Sequence, residues 1–84
     1  MVRLVFLGKF GQLATSALSK AEPPQSVVTL GGLRDWVAEQ EPALGAAMAA
    51  TPLKMIVNHQ VAHDLSAEFS AGDEVAFLPP MSGG

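Results

Sequence analysis

The sequence Glu74-Val75-Ala76-Phe77-Leu78-Pro79-Pro80, near the end of the 84-residue chain, decides the fold. An apolar, β-favouring run is followed by two prolines, which cannot donate hydrogen bonds to a sheet, so we expect a strand that ends at Leu78. Residues 2–7 form a second apolar run and predict a strand at the other end of the chain. Both runs are apolar at odd and even positions, which favours strands covered on both faces.

One main helix and a second helical stretch are predicted between these strands. Thr29 can cap the main helix, and its apolar residues share one face at helical spacing. Pro42 suits the first position of the second stretch. The main-helix face consists of Leu30, Leu33, Trp36 and Val37, and the second stretch covers Ala43 to Ala49.

The remaining segments predict short strands, turns and one long loop. Residues 8–25 contain glycines and prolines and are expected to form a loop with at most one helical turn, around Gln12 to Leu18. Phe69 is expected to anchor a loop. Further strands are predicted at Val27–Val28, Leu53–Val57 and Val61, with Asn58-His59-Gln60 as a turn.

This order predicts an α+β fold, in which one mixed sheet carries the main helix on one face. Strand alternation gives each terminal strand an inner and an outer set of side chains. We expect the outer set to form a partner-binding patch, because soluble monomers seldom expose such a stripe. Alternatively, residues 8–25 cover it as a second layer. The inner set is Leu4, Phe6, Val75 and Phe77, and the outer set is Val5, Leu7, Ala76 and Leu78.

Length and composition limit the function. A chain of 84 residues has room for one domain, predicted over residues 1–80, with residues 81–84 as a flexible tail. The absence of cysteine excludes disulfides, thiolate metal sites and thiol nucleophiles. No stretch resembles a signal peptide or a membrane span, so we expect a cytoplasmic protein without a membrane partner.

The net charge of −3 is unevenly distributed. The basic residues end at Lys54, and Asp64, Glu68, Asp73 and Glu74 follow without a compensating cation. This acidic third would repel nucleic acid and would attract a basic cleft on a partner protein. Ordinary surface solvation explains the same pattern.

Other residue types give little support for catalysis. His59 and His63 are four residues apart, a useful spacing for metal ligands only on a helix, and this segment is predicted to be a hairpin. No metal site is therefore expected. Trp36 is expected to pack in or beside the core, and the serines lack a visible base partner.

The last residues, Met81-Ser82-Gly83-Gly84, form a slender tail. Glycine has no Cβ, so Gly83 and Gly84 can enter a narrow channel and carry a terminal carboxylate to a buried site on another protein. Gly84 is the candidate reactive residue, with Ser82 and Gly83 as the tail behind it. A frayed terminus is the simpler interpretation of this tail.

The segment from Gly72 to Gly84 resembles the ending of the small subunit of molybdopterin synthase, the MoaD family. The apolar first strand, Val57-Asn58 and the helix start from Thr29 to Arg34 resemble that family too. The resemblance implies the ubiquitin-like β-grasp fold, with the first and last strands adjacent and parallel.

The resemblance also implies a chemistry. A ubiquitin-activating-like adenylyltransferase would use ATP to adenylate Gly84, and a sulfurtransferase would supply the sulfur for a thiocarboxylate. The large subunit would then use this sulfur to convert a cyclic pterin precursor into the molybdopterin dithiolene, within a heterotetramer. The catalytic groups would belong to the large subunit, so the chain alone would be neither an enzyme nor a holder of a permanent cofactor.

In this family, the positions of Leu7 and Leu78 pack against the large subunit, in agreement with the outer set derived from strand alternation. The resemblance extends the predicted partner-binding set to Pro79, Pro80 and Met81. Two departures are visible: Gly11-Gln12 replaces a frequent Arg-Glu pair, and Leu78 replaces a usual aromatic.

Two other functions share the terminal Gly-Gly. A ubiquitin-like modifier would join Gly84 to lysines of target proteins, and the thiamine-pathway sulfur carrier would deliver sulfur for a thiazole. Pro79-Pro80 and the Asp73-Glu74 turn argue against the thiamine-pathway carrier.

Overall fold

A computed structural model describes residues 2–15, 18, 20–50 and 53–79 of the chain. Within these residues the strands form one mixed sheet in the order β1-β4-β2-β3. β1 is parallel to β4, and β2 is antiparallel to both β4 and β3. The predicted α+β arrangement is confirmed. The elements are β1 (Arg3–Phe6), α1 (Lys9–Leu13), α2 (Leu30–Gln40), α3 (Pro42–Ala50), β2 (Lys54–Val57), β3 (Gln60–Ala62) and β4 (Glu74–Leu78).

The parallel pair β1 and β4 forms one side of the described sheet, with β1 as its edge strand. Leu4 is paired with Val75, and Phe6 with Phe77. The two phenylalanine rings stack with their centroids 4.9 Å apart. Paired residues project to the same face, so these four side chains point into the core, as strand alternation predicted.

The core lies between this face of the sheet and the helices. Its side chains come from every helix and from β1, β2 and β4, and each fully buried one contributes roughly 1.5–3 kcal/mol. Trp36 and Phe69 pack against it while staying partly exposed, as predicted. The buried members are Val2, Leu4, Phe10, Leu18, Leu30, Leu33, Val37, Leu44, Met48, Met55, Val75 and Phe77.

The start of α2 confirms Thr29 as its cap. The Thr29 hydroxyl oxygen accepts a hydrogen bond from the Gly32 N–H at 3.0 Å. The N–H groups of Leu30 and Gly31 donate to carbonyls of the loop after β3, at 2.9 and 2.8 Å. A Cβ on Gly31 would lie only 3.3 Å from a carbonyl oxygen of that loop, so glycine permits the close approach.

The segment between β1 and α2 differs from its prediction in two places. The helix α1 begins at Lys9, earlier than the helical turn expected around Gln12 to Leu18, because a tight turn at Gly8 reverses the chain directly after β1. Leu18 is also helical, and the neighbouring residues 16, 17 and 19 lie outside the described residues. The predicted strand at Val27–Val28 is wrong. Only one isolated bridge forms there, between Thr29 and Glu68, since a turn at residues 25–26 leaves too few residues before the helix.

A polar cluster joins the β2–β3 hairpin to the start of β4. Asn58 and His59 form a two-residue turn with φ of 50° and 70°. The Asn58 side-chain amide donates to an Asp73 carboxylate oxygen at 3.0 Å, and its carbonyl oxygen accepts from the Glu74 N–H at 2.9 Å. The other Asp73 carboxylate oxygen accepts from the Ser70 N–H at 2.8 Å. The turn residue Asn58 therefore fixes where β4 begins.

We predict that Asn58→Gly destabilises the fold by about 1 kcal/mol, because the substitution removes two hydrogen bonds while glycine keeps the positive φ. His59→Gly is the matched control, since His59 is an exposed neighbour with a similar φ. It should leave stability unchanged or slightly higher. Urea unfolding measures both variants, and equal losses would contradict the assigned role of Asn58.

The same cluster predicts a pH dependence. Hydrogen bonds from the Asn58 side chain, and then from the Ser70 N–H, lower the pKa of Asp73 below its usual value. A lowered folded-state pKa stabilises the protein above the unfolded-state pKa of about 4, and this stabilisation is lost as pH falls through the folded-state pKa.

We therefore expect the urea midpoint to fall between about pH 5 and pH 2, and to fall less in Asn58→Gly than in the wild type. Asp64, whose pKa is lowered by the Ser66 hydroxyl and then the Ser66 N–H, contributes equally to both proteins. An identical pH dependence in the two proteins would contradict the assignment to Asp73.

Candidate functional site

The outer face of the sheet carries an apolar row that crosses all of its strands. The register aligns Val5 with Ala76, Ala76 with Ile56, and Ile56 with Val61. Val5 and Ile56 are half-buried, and Val61 is 46% exposed. Ala76 is buried because its small side chain sits between neighbouring strands. The row is therefore continuous and faces away from the core.

This row reaches the end of β4 through two leucines. The Leu7 N–H donates to the Phe77 carbonyl at 3.0 Å, so the pairing of β1 with β4 continues one residue beyond β1. Leu7 is 38% exposed and Leu78 is half-buried. We name the side chains of Val5, Leu7, Ile56, Val61, Ala76 and Leu78 the outer patch.

Charged side chains mark the two ends of the outer patch. At one end Arg3 and Glu74 form an ion pair of 3.7 Å. At the other end Lys54, which is exposed, is paired with Leu78. The chain leaves β4 beside Lys54. A partner that covers the outer patch would therefore meet charges of both signs at one end and a cation at the other.

The alternative in which residues 8–25 cover the outer face is wrong. Phe10 and Leu18 of this segment are buried in the core on the helix side of the sheet. Ala14 and Ala21 pack against the same core. The segment therefore adds to the helical layer and leaves the outer patch open to a partner.

The tail residues lie outside the described residues, namely Pro80, Met81, Ser82, Gly83 and Gly84. Their predicted roles, and the predicted boundary between domain and tail, stay predictions. Pro79 is described: it is half-buried and follows β4 directly. The outer patch thus adjoins the point where the chain continues toward Gly84.

The acidic residues are not grouped at this exit. Asp73 and Glu74 lie at the start of β4, which is about 13 Å long at a rise of roughly 3.3 Å per residue, and the chain exits at its far end. A basic cleft on a partner would therefore meet the start of β4 rather than the exit. The idea of such a cleft stays a prediction.

Three residues of this surface, Ile56, Val61 and Lys54, were not predicted as site residues from the sequence. The strand around Leu53–Val57 was predicted, but its two faces were not assigned. Alternation along β2 puts Ile56 opposite Met55 and Val57, and Met55 is buried in the core. The same argument that assigned the faces of β1 and β4 would have found Ile56 once the pairing of β2 with β4 was known.

Gly11 explains one departure from the MoaD family pattern. A Cβ at this position would lie 2.7 Å from the Phe6 carbonyl oxygen. Any side chain here, including the arginine frequent in that family, would force α1 away from the end of β1. Glycine at this position therefore permits the close approach of α1 to the end of β1.

Catalytic and metal-binding constellations are not seen in the described residues. His59 and His63 are exposed, and no three His, Cys, Asp or Glu residues of the described ranges are placed to hold a metal ion. A surface cavity of about 480 Å³ lies between α2 and α3. Its only ionisable groups, Arg34 and Asp35, pair with each other at 3.3 Å. None of the described helices combines the length and apolarity of a membrane crossing.

Comparison with known proteins identifies the family. A family model described as the ThiS family matches residues 5–84. The chain belongs to the ThiS family. It is therefore a small ubiquitin-like sulfur carrier, not itself a catalyst, and such ThiS-family carriers work with activating enzymes and partner proteins. No curated protein matches the chain.

A solved structure confirms the fold predicted for this ThiS-family chain. The crystal structure of SAMP1 from Haloferax volcanii aligns with a TM-score of 0.74 at 22% sequence identity. The alignment covers 99% of this chain and 98% of that one. The fold is the ubiquitin-like β-grasp.

We predict that Leu7→Glu weakens binding of the activating or acceptor partner at least tenfold, about 1.4 kcal/mol, because it places a charge within the outer patch. Val28→Glu is the matched control. Val28 is similarly exposed, at 49%, but lies outside the outer patch. Calorimetric titration of both variants measures the effect, and equal weakening would contradict the outer patch as the interface.

Proposed function

We propose that this ThiS-family carrier is the small subunit of molybdopterin synthase. In this role the Gly84 carboxylate attacks the α-phosphate of ATP on a ubiquitin-activating-like adenylyltransferase, releasing pyrophosphate and forming an acyl-adenylate. The terminal sulfur of a persulfide on a sulfurtransferase then forms the C–S bond while the C–O bond to AMP breaks, and a thiol cleaves the S–S bond to the sulfurtransferase, which leaves the thiocarboxylate on Gly84. The resulting thiocarboxylate supplies sulfur to a cyclic pterin precursor.

The proposal is supported by one observation: the outer patch lies at the end of β4, where the chain leaves the sheet. Leu7, Leu78 and Pro79 lie at the end of β4 from which the chain continues to Gly84. A partner seated on the outer patch therefore has its active site within reach of a five-residue tail, at most about 17 Å when fully extended. When a partner binds the outer patch, the same binding step brings the Gly84 carboxylate within reach of that partner's active site.

In this proposal the catalytic groups belong to the large subunit. Lys54 is exposed beside the exit, and Pro79, which follows β4, has no ionisable side chain. The groups that polarise the substrate and transfer protons would come from the large subunit. This chain would contribute docking, orientation and the sulfur atom itself.

Two other fates of the activated carboxylate fit the same family and fold. A modifier would pass Gly84 to a lysine amine and form an isopeptide, and a thiamine-pathway carrier would pass sulfur to a thiazole. The likeness of Gly72–Gly84 to the MoaD ending favours the pterin acceptor. The first strand and the α2 start support the same choice.

The test is reconstitution with the chain's own partners. Wild-type protein is purified from its native cell together with whatever large subunit it retains, and the intact mass of its terminus is measured. We expect one oxygen of Gly84 to be replaced by sulfur, and the loaded complex to convert the cyclic pterin precursor into molybdopterin.

The matched variants are deletion of Gly84 and Glu39→Ala, the latter an exposed position on α2. Deletion of Gly84 should abolish product, and Glu39→Ala should leave it unchanged. Conjugates of the chain with many proteins would support the modifier instead. Sulfur delivered only to a thiazole acceptor would support the thiamine-pathway carrier.

A further inference from the structure

Gly8 forms a turn that only glycine adopts readily. Its backbone angles are φ 58° and ψ −138°. The Phe10 N–H donates to the Leu7 carbonyl at 3.2 Å, which closes a four-residue turn. These angles match the first central position of a type II′ turn, where glycine is strongly favoured. The turn ends the pairing of β1 with β4 and starts α1.

Gly8 also lies against the residue that follows β4. A Cβ built on Gly8 would be 3.0 Å from Pro79 Cγ and 3.4 Å from Pro79 Cδ. The bare glycine backbone therefore makes room for the proline ring. The last backbone hydrogen bond before this point runs from Leu7 to Phe77. Beyond it Pro79 has no N–H with which to extend the ladder, so packing on Gly8 replaces hydrogen bonding there.

The orientation of Pro79 restricts the direction of the chain that follows it. Its φ is fixed near −65° by the ring, and the sequence places a second proline directly after it. A residue before proline is restricted to extended conformations, which applies to both Leu78 and Pro79. These restrictions narrow the directions in which the chain can continue beyond Pro79, so the seating of the Pro79 ring sets its starting direction.

We propose that Gly8 is a positioning residue for the chemistry at Gly84, because its bare turn seats the Pro79 ring and so sets the direction in which the chain leaves β4. This inference rests on the proposed function as a carrier activated at Gly84. Gly8 touches neither the carboxylate nor ATP in this role. It acts through Pro79 alone.

Gly72 provides a matched control on the same chain. Its φ is also positive, at 91°, so alanine there carries a similar kind of backbone strain. A Cβ on Gly72 meets no atom within 4 Å. Gly72 precedes β4, whereas Gly8 lies beside its end. The two alanine variants therefore both place a Cβ on a residue with positive φ, and only Gly8→Ala brings that Cβ against Pro79.

The experiment measures adenylation of the carrier, as pyrophosphate released from ATP by the adenylyltransferase of the same cell. The proteins compared are wild type, Gly8→Ala, Gly72→Ala, Pro79→Ala and the double variant Gly8→Ala with Pro79→Ala. Misplacing a reacting group by about 1 Å can cost up to a hundredfold, so we expect kcat for Gly8→Ala to fall at least tenfold. Its KM should change less than about twofold, because the outer patch is intact.

The double variant separates positioning from simple destabilisation. Removing the Pro79 ring removes the atoms that the methyl group introduced by Gly8→Ala would meet, so the double variant should recover part of the kcat lost in Gly8→Ala. Gly72→Ala should keep wild-type kcat. If Gly8→Ala does not fold, Pro79→Ala still tests the inference, since it removes the seated ring without adding strain, and it should lower kcat by a larger factor than it raises KM.

Two results would overturn the inference alone: wild-type kcat in both Gly8→Ala and Pro79→Ala, or equal losses in Gly8→Ala and Gly72→Ala. Failure of the wild-type chain to be adenylated at all would overturn the proposed function, and this inference with it.

Discussion

The parallel pairing of β1 with β4 is the constraint on which the rest of this structure depends. It joins the two ends of the chain, stacks Phe6 on Phe77 in the core, and aligns Val5 with Ala76 on the opposite face. A shift of one residue in this register would move every side chain of β4 to the other face. The core and the outer patch would then be lost together.

The same pairing determines where the chain leaves the sheet in the direction of Gly84, the proposed reactive residue. The backbone hydrogen bonds between β1 and β4 end with the one from Leu7 to Phe77. Pro79, which follows β4, has no N–H with which to extend this pairing. The chain therefore leaves β4 at the edge of the outer patch, next to the turn at Gly8. The outer patch, the exit from β4 and the turn at Gly8 therefore all adjoin one strand pair.

Much of this arrangement could be predicted from the sequence because it depends on local patterns. Alternation in two apolar runs gave the inner and outer faces of β1 and β4, and Thr29 marked the start of α2. The missing strand at Val27–Val28 and the outer position of Ile56 depend on which segments pair, and pairing is set by contacts distant in sequence. The role of Gly8 depends on Pro79, 71 positions later, and no local pattern indicates such a contact.

Docking through the outer patch is tested most directly by titrating the isotope-labelled chain with its adenylyltransferase and recording the amide signals by nuclear magnetic resonance. Binding should shift the signals of β1, β2 and β4 around Val5, Ile56 and Ala76, and leave those of α2 and α3 in place. Shifts centred on α2 and α3, with the sheet unaffected, would contradict delivery of the carboxylate from this face.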